Sequence, residues 1–146
     1  MLKEKLLEDL KSAIKDKNVN RKNTVQMVRA AILQVEKDNN IEVDDNKILE
    51  IIAKEVKTRN DSLIDFERGG REDLVEQAKQ EILVLSEYLP KQLTKEELKE
   101  KLTKIIADLG ANSIKDMGAV MKEAKAQIGT AADGRTINEV VKELLN

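Results

Sequence analysis

Apolar residues return every three or four positions along almost the whole of this 146-residue chain, and that regularity closes most folds to it. A period near 3.6 belongs to helices packed through one face, whereas strands alternate every second residue. Leu2, Leu6, Leu10 and Ile14 predict a first helix of about 15 residues, fading where the asparagines of 16–20 favour a turn. A second helix, Arg21 to Asp38, turns Val25, Val28, Ile32 and Val35 inward and breaks at Asn39-Asn40. Asp44 or Asp45 caps a third that runs to Arg68, with Ile48, Ile52, Val56, Leu63 and Phe66 inside and Gly69-Gly70 as its stop. The fourth, Glu72–Tyr88, buries Leu74, Ala78, Ile82 and Leu85.

The one proline, Pro90, marks the clearest boundary, because the residue before a proline avoids helix and Leu89 should be extended. Thr94-x-x-Glu97 has the form of a capping box and opens a fifth helix with Leu98, Leu102, Ile105 and Leu109 inside, stopped by Gly110. Ser113 or Asp116 caps a sixth, whose Met117, Val120, Met121, Ala124 and Ile128 share a face. Gly129 tolerates left-handed backbone at its end, and Asp133-Gly134 reads as a turn. Thr136-x-x-Glu139 would cap a last helix, about Ile137–Leu145, burying Ile137, Val140, Val141 and Leu144. The expectation is an all-α protein of seven helices: an N-terminal antiparallel helical domain over 1–90 and a compact three-helix domain over 91–146.

Composition narrows function mainly by exclusion. Apolar residues make up 40% of the chain, too many and too periodic for a disordered one. Cysteine and histidine are both absent, which removes thiol catalysis, disulfides, Cys/His metal sites and His acid/base chemistry together. No acidic run has the spacing of a calcium loop, and no P-loop, dinucleotide-binding turn or amidase-like glycine-serine segment occurs. Glu96-Glu97 are helix-start acids that favour the dipole. Neither catalytic residues nor a cofactor or metal are expected. No basic-then-apolar leader or run of about 20 apolar residues is present, so the expected setting is cytoplasmic, without a membrane.

Net charge is −2, which by itself does not advertise nucleic-acid binding, and no DNA partner is expected. Residues 1–90 carry 16 basic and 19 acidic side chains (−3), and 91–146 carry 10 and 9 (+1). The small excess gathers near the sixth and seventh helices. Lys115, Lys122 and Lys125 project away from the apolar face, with Arg135 and Lys142 behind them and only Asp116 and Glu123 as nearby acids. Such a face is either a solvated exterior or an edge for phosphates, since a cation that neutralises a phosphate releases counterions. Phe66 and Tyr88 are too few for base stacking, so RNA would be held by backbone and shape. Gly118, Gly129 and Gly134 serve either close ligand approach or caps and tight helix crossings. Arg59, Asp61, Ser62, Arg68 and Arg71 fall near the Gly-Gly turn; Arg59, Asp61 and Ser62 serve either to bind a ligand or, as the leading expectation, to join Arg71 in a lock between the third helix and the fourth. Met117 and Met121 read as core filler.

Two blocks of residues resemble the GatB/YqeY family. Arg59-Asn-Asp-Ser-Leu-Ile-Asp-Phe66, Gly70-Arg71-x-Asp73-Leu74 and Tyr88-Leu-Pro-Lys-Gln-Leu93 are similar to the centre of stand-alone YqeY-like proteins. Asp116-Met-Gly-Ala-Val-Met121, Gly129, Ala132-Asp133-Gly134 and Val140-Val-Lys-x-Leu-Leu145 resemble the family's tail domain, which would occupy 91–146. Arg59-Asn60 departs from the two basic residues more usual there. The resemblance implies a helical N-terminal domain, a helical tail and a link to tRNA, because the B subunit of glutamine-dependent aspartyl/glutamyl-tRNA amidotransferase carries such a tail against tRNA. It also implies a carbon–nitrogen ligase label with glutamine as amide donor, although nothing here matches that subunit's kinase cradle. The leading expectation is an accessory protein that binds tRNA or a tRNA-handling complex through its C-terminal domain. The alternatives are a protein–protein adaptor without RNA contact and a component of an amidotransferase assembly.

Overall fold

A computed structural model describes all residues, 1–146, and is all-α, with seven helices and no strand. It divides into two compact units, Met1–Leu89 and Pro90–Asn146. In the first, α1 (Leu2–Lys15), α2 (Val19–Asn39), α3 (Asp45–Arg68) and α4 (Glu72–Ser86) pack together. The long α3 and α4 are joined by a tight turn, lie side by side and so run antiparallel. In the second, α5 (Lys95–Leu109), α6 (Met117–Ile128) and α7 (Gly134–Leu145) each touch the other two. Each unit has its own core: Leu6, Val25, Ile48, Ile52 and Leu85 at the centre of one, Leu98, Leu102, Val120, Ala124 and Val141 at the centre of the other.

Local chemistry accounts for several helix ends. Asn18 and Asp44 accept the backbone N–H of Arg21 and Lys47 and start α2 and α3. Thr94 and Glu97 form the reciprocal capping box that starts α5. Asn40 and Gly110 end α2 and α5 with left-handed backbone, and Gly70, also at positive φ, closes the turn after α3.

Several expectations fail for identifiable reasons. Helix α2 starts at Val19, two residues before Arg21, because Asn18 is its cap. Helix α4 stops at Ser86, so Tyr88 lies beyond it and its ring enters the core. Ile14 is exposed and Ala13 takes its place, since a strict spacing of four rotates about 40° per step and carries the fourth residue off the buried face. Leu109 is exposed as the last residue of α5, past the end of the core, while Ile106 is half-buried in its stead. Val43, Ile51, Val84 and Tyr88 are core residues that periodicity did not pick out.

Candidate functional site

The cations of the second unit are positioned from the loop upward. After Gly110 the chain turns back as Asp116 Oδ2 accepts the backbone N–H of Asn112 at 3.1 Å. A short 3-10 turn, Ile114–Asp116, sets Lys115 in solvent and feeds α6, with Asp116 as its N-cap residue. On α6, Val120, Ala124 and Ile128 are buried, Met117 and Met121 pack against the core, and Lys122 and Lys125 face outward one turn apart. Beyond α6, Ala131 O accepts from Leu93 N at 2.8 Å and Thr130 O from Gln92 Nε2 at 3.0 Å, which ties this segment to the chain entering α5. Arg135 and Lys142 are exposed on α7, seven residues apart and therefore on one face of it.

The electrostatics of this unit are defined by what the cations do not touch. No carboxylate oxygen lies within 4.0 Å of any lysine or arginine nitrogen here. Glu123, the nearest acid along α6, accepts instead from Gln127 Nε2 at 2.8 Å. Lys115, Lys122, Lys125, Arg135 and Lys142 thus present un-neutralised charge to solvent, and such charge can take up a polyanion without first breaking an internal contact.

The glycines divide. Gly129 has φ +57°, which L side chains rarely adopt, and it reverses the chain into a second 3-10 turn. A Cβ added to Gly118 or Gly134 would meet nothing within 4 Å, so of the alternatives open to them neither makes a tight helix crossing. Gly118 is the second residue of α6, in the turn that follows its N-cap residue Asp116. Asp133-Gly134 is no free turn: Asp133 is the N-cap residue and Gly134 the first residue of α7, leaving Thr136 already inside the helix and its capping box unformed. Asp133 wins because it precedes Thr136 and its carbonyl already accepts from Ile137 N at 3.0 Å.

The expected lock between α3 and α4 reduces to one residue, Arg59, and recruits partners the sequence did not single out. Its side chain is only 10% exposed; Nε donates to Glu81 of α4 at 2.8 Å and NH1 to the Glu55 carboxylate at 2.7 Å. NH2 donates to Met27 Sδ of α2 at 3.2 Å, so three helices meet at one guanidinium. Asp61 and Ser62 make no side-chain hydrogen bond and lie outside it. Arg71 pairs with Asp73, two residues on, at the exposed start of α4 and does not bridge helices. Glu55, four residues before Arg59 on the same helix, is the one partner spacing could have named.

A second polar cluster surrounds Tyr88. The buried hydroxyl donates to Asp9 of α1, Lys5 Nζ sits 5.5 Å from the ring centroid, and neighbouring Glu87 takes a two-pronged bond from Arg21 at 2.6 and 2.8 Å. Burial, reinforced by the Asp9 carboxylate, pushes the Tyr88 hydroxyl well above its ordinary value. The hydrogen bond from Arg21 holds Glu87 below the usual carboxylate range.

Fold and charge together define an all-α protein with an ion-locked N-terminal helical unit and a C-terminal helical unit that displays free cations. A family model described as Yqey-like protein matches residues 3–145, and the chain belongs to that family. Its relatives include the altered inheritance of mitochondria protein 41, mitochondrial, of Pyrenophora tritici-repentis, 27% identical across 97% of this chain and 79% of that protein. Proteins of the same name from Candida glabrata and Kluyveromyces lactis are 35% and 34% identical over 71% of this chain, which spans 59% and 58% of their lengths. No helix is long and apolar enough to cross a membrane.

Proposed function

We propose that the chain binds the phosphodiester backbone of tRNA through the exposed cations of α6 and α7, together with Lys115. The observation that carries this reading is that none of the ten lysines and arginines of Pro90–Asn146 is paired with a carboxylate. Backbone contact suits a chain with two aromatic residues, since stacking on bases has nothing to work with. The association is weak and salt-sensitive.

Filter retention of labelled tRNA across a salt series tests it. Each phosphate neutralised adds about 0.7–0.9 to the log–log slope, so reversing both Lys122 and Lys125 to Glu should flatten it by at least about 1.4. Retention that ignores salt, or ignores the double reversal, would favour a protein–protein adaptor instead. The link to an amidotransferase rests on the family resemblance; glutamine-dependent amidation of mischarged tRNA with and without this chain tests it. The compartment proposed is the cytoplasm, and cell fractionation decides between it and the mitochondrion in the relatives' names.

A further inference from the structure

The hairpin of α3 and α4 runs on past the core that α1 and α2 build with it. The core residues of α3 end at Ile52, with Val56 packed against them, and those of α4 begin at Val84. Arg59 closes that region, its guanidinium tied to Glu81 and Met27. Beyond it, residues 60–80 form a two-helix arm in which only Ala78 is buried. Leu63 and Phe66 continue the face of α3 that bears Arg59, and Leu74 and Ala78 continue the face of α4 that bears Glu81. These residues line the seam between the two helices. Leu63, Phe66, Leu74 and the neighbouring Val75 are half-buried, whereas Ile52 and Leu85, inside the core, are fully covered.

The charge of the arm selects what can cover that seam. Residues 60–80 hold three basic and six acidic side chains, and this −3 is the whole net charge of the first unit. Asp61, Asp65 and Glu67 make no ion pair, and Asp65 and Glu67 flank Phe66 on either side. Two arms from two copies would set like charge against like, and RNA or an anionic lipid surface is repelled in the same way. The cationic helix α6 of another copy has no apolar face to offer, because Val120, Ala124 and Ile128 are already buried in its own unit. We propose that the arm docks a basic amphipathic helix of a partner protein. A seam between two antiparallel helices takes a third through its i, i+3, i+4 and i+7 side chains, and the acids beside Phe66 meet the cations that border that face. Residues 60–68 of α3 rise about 13 Å, so the seam engages two to three turns of the incoming helix. An interface of that length is transient, and its charge acts mainly on how fast and with whom it forms.

Fluorescence anisotropy of a labelled synthetic helix added to the full chain tests the proposal. The probe is about 14 residues long, with leucine at i, i+3, i+4 and i+7 and lysine elsewhere. It should bind in the micromolar range at low salt, and slow hydrogen exchange at the amides of 60–80. A peptide with glutamate in place of lysine, or with the same residues scrambled so that no apolar face forms, should bind at least about tenfold more weakly. Asp65→Lys with Glu67→Lys should cost the lysine peptide about tenfold, whereas reversing Glu100 and Glu143, exposed on the second unit, should cost it nothing. Phe66→Asp should abolish binding, and circular dichroism checks that each variant keeps its helices. A lysine peptide that does not bind, or binds without protecting 60–80, overturns the proposal. Binding that the scrambled peptide matches, or that the Glu100 and Glu143 reversal weakens as much as the reversal beside Phe66, overturns it equally.

Discussion

The two units have similar shares of charged residues and use them in opposite ways. Met1–Leu89 holds 16 basic and 19 acidic side chains, and all nine ion contacts of the molecule fall within it. Lys3–Glu36, Arg21–Glu87 and Arg59–Glu81 each join residues far apart in the chain, so charge there fixes how helices sit on one another. Pro90–Asn146 holds 10 and 9, and none pair. That unit is held by its apolar core and its caps, and its charge stays available to something outside it. Pairing buries a charge's usefulness to a ligand; leaving it unpaired keeps the usefulness and gives up the fold-specific contact.

The comparison is broken most directly at the cores. Leu102 is fully buried in the second unit, and Leu102→Ala should cost about 3 kcal/mol from lost transfer and cavity. A domain of this size has only a few kcal/mol in hand, so the second unit should melt while the first keeps its amide protection from hydrogen exchange. If both lose protection together, the units do not fold independently.

Arg59→Met comes next, at about 2 kcal/mol, because it leaves the half-buried Glu55 and Glu81 carboxylates facing each other without their cation. Urea denaturation of the first unit reads the loss, and adding Glu81→Gln to the variant should recover part of it. A cost near zero would make the paired charges of the first unit as idle as those of the second.

How far this contrast was legible beforehand depends on distance along the chain. An amphipathic face and a cap are local, so Leu98, Leu102 and Ile105, or Asp44 and Thr94, declare themselves within one or two turns. Arg59 announced a lock, yet its cross-helix partner Glu81 is 22 residues away, and the choice of Glu81 over nearby Asp61 is made by packing. Tyr88 and Asp9, 79 residues apart, had no local signal beyond the rule that a buried hydroxyl finds a partner. Thr136-x-x-Glu139 shows the opposite fault: a valid local motif was overruled by Asp133 three residues earlier. For the candidate site, exposure of Lys122 and Lys125 followed from periodicity, but their freedom from carboxylates did not, since Glu123 sits beside them in sequence.

pH sharpens the comparison with smaller effects. Hydrogen bonds from Lys3 and Val43 N hold Glu36 below its ordinary 4.5, and that from Arg21 does the same to Glu87. A carboxyl lowered in the fold contributes stability above its unfolded value and loses it as pH falls through the folded one. Tyr88, raised from an ordinary 10.0, works in reverse: its contribution is present below pH 10 and lost as pH climbs beyond. The urea midpoint of the first unit should therefore fall below about pH 5 and again above about pH 10, with Glu87→Gln blunting the acid limb. Tyr88 is the only tyrosine, so its ultraviolet titration reads the alkaline limb alone, and a midpoint at the ordinary value would dissolve the cluster around it.

The smallest expected effect decides the most about the second unit. Replacing Lys122 and Lys125 together by Gln removes two exposed cations with no carboxylate partner, and stability should move by less than about 0.5 kcal/mol. Glutamine keeps the helix propensity of lysine nearly intact, so the urea midpoint measures the charge and little else. If the pair costs more than about 1 kcal/mol, the cations are holding this unit together after all, as Arg59 does the first. Their freedom would then be lost as an argument for a phosphate ligand. A midpoint that stays put while tRNA retention falls separates binding from folding at the same two residues.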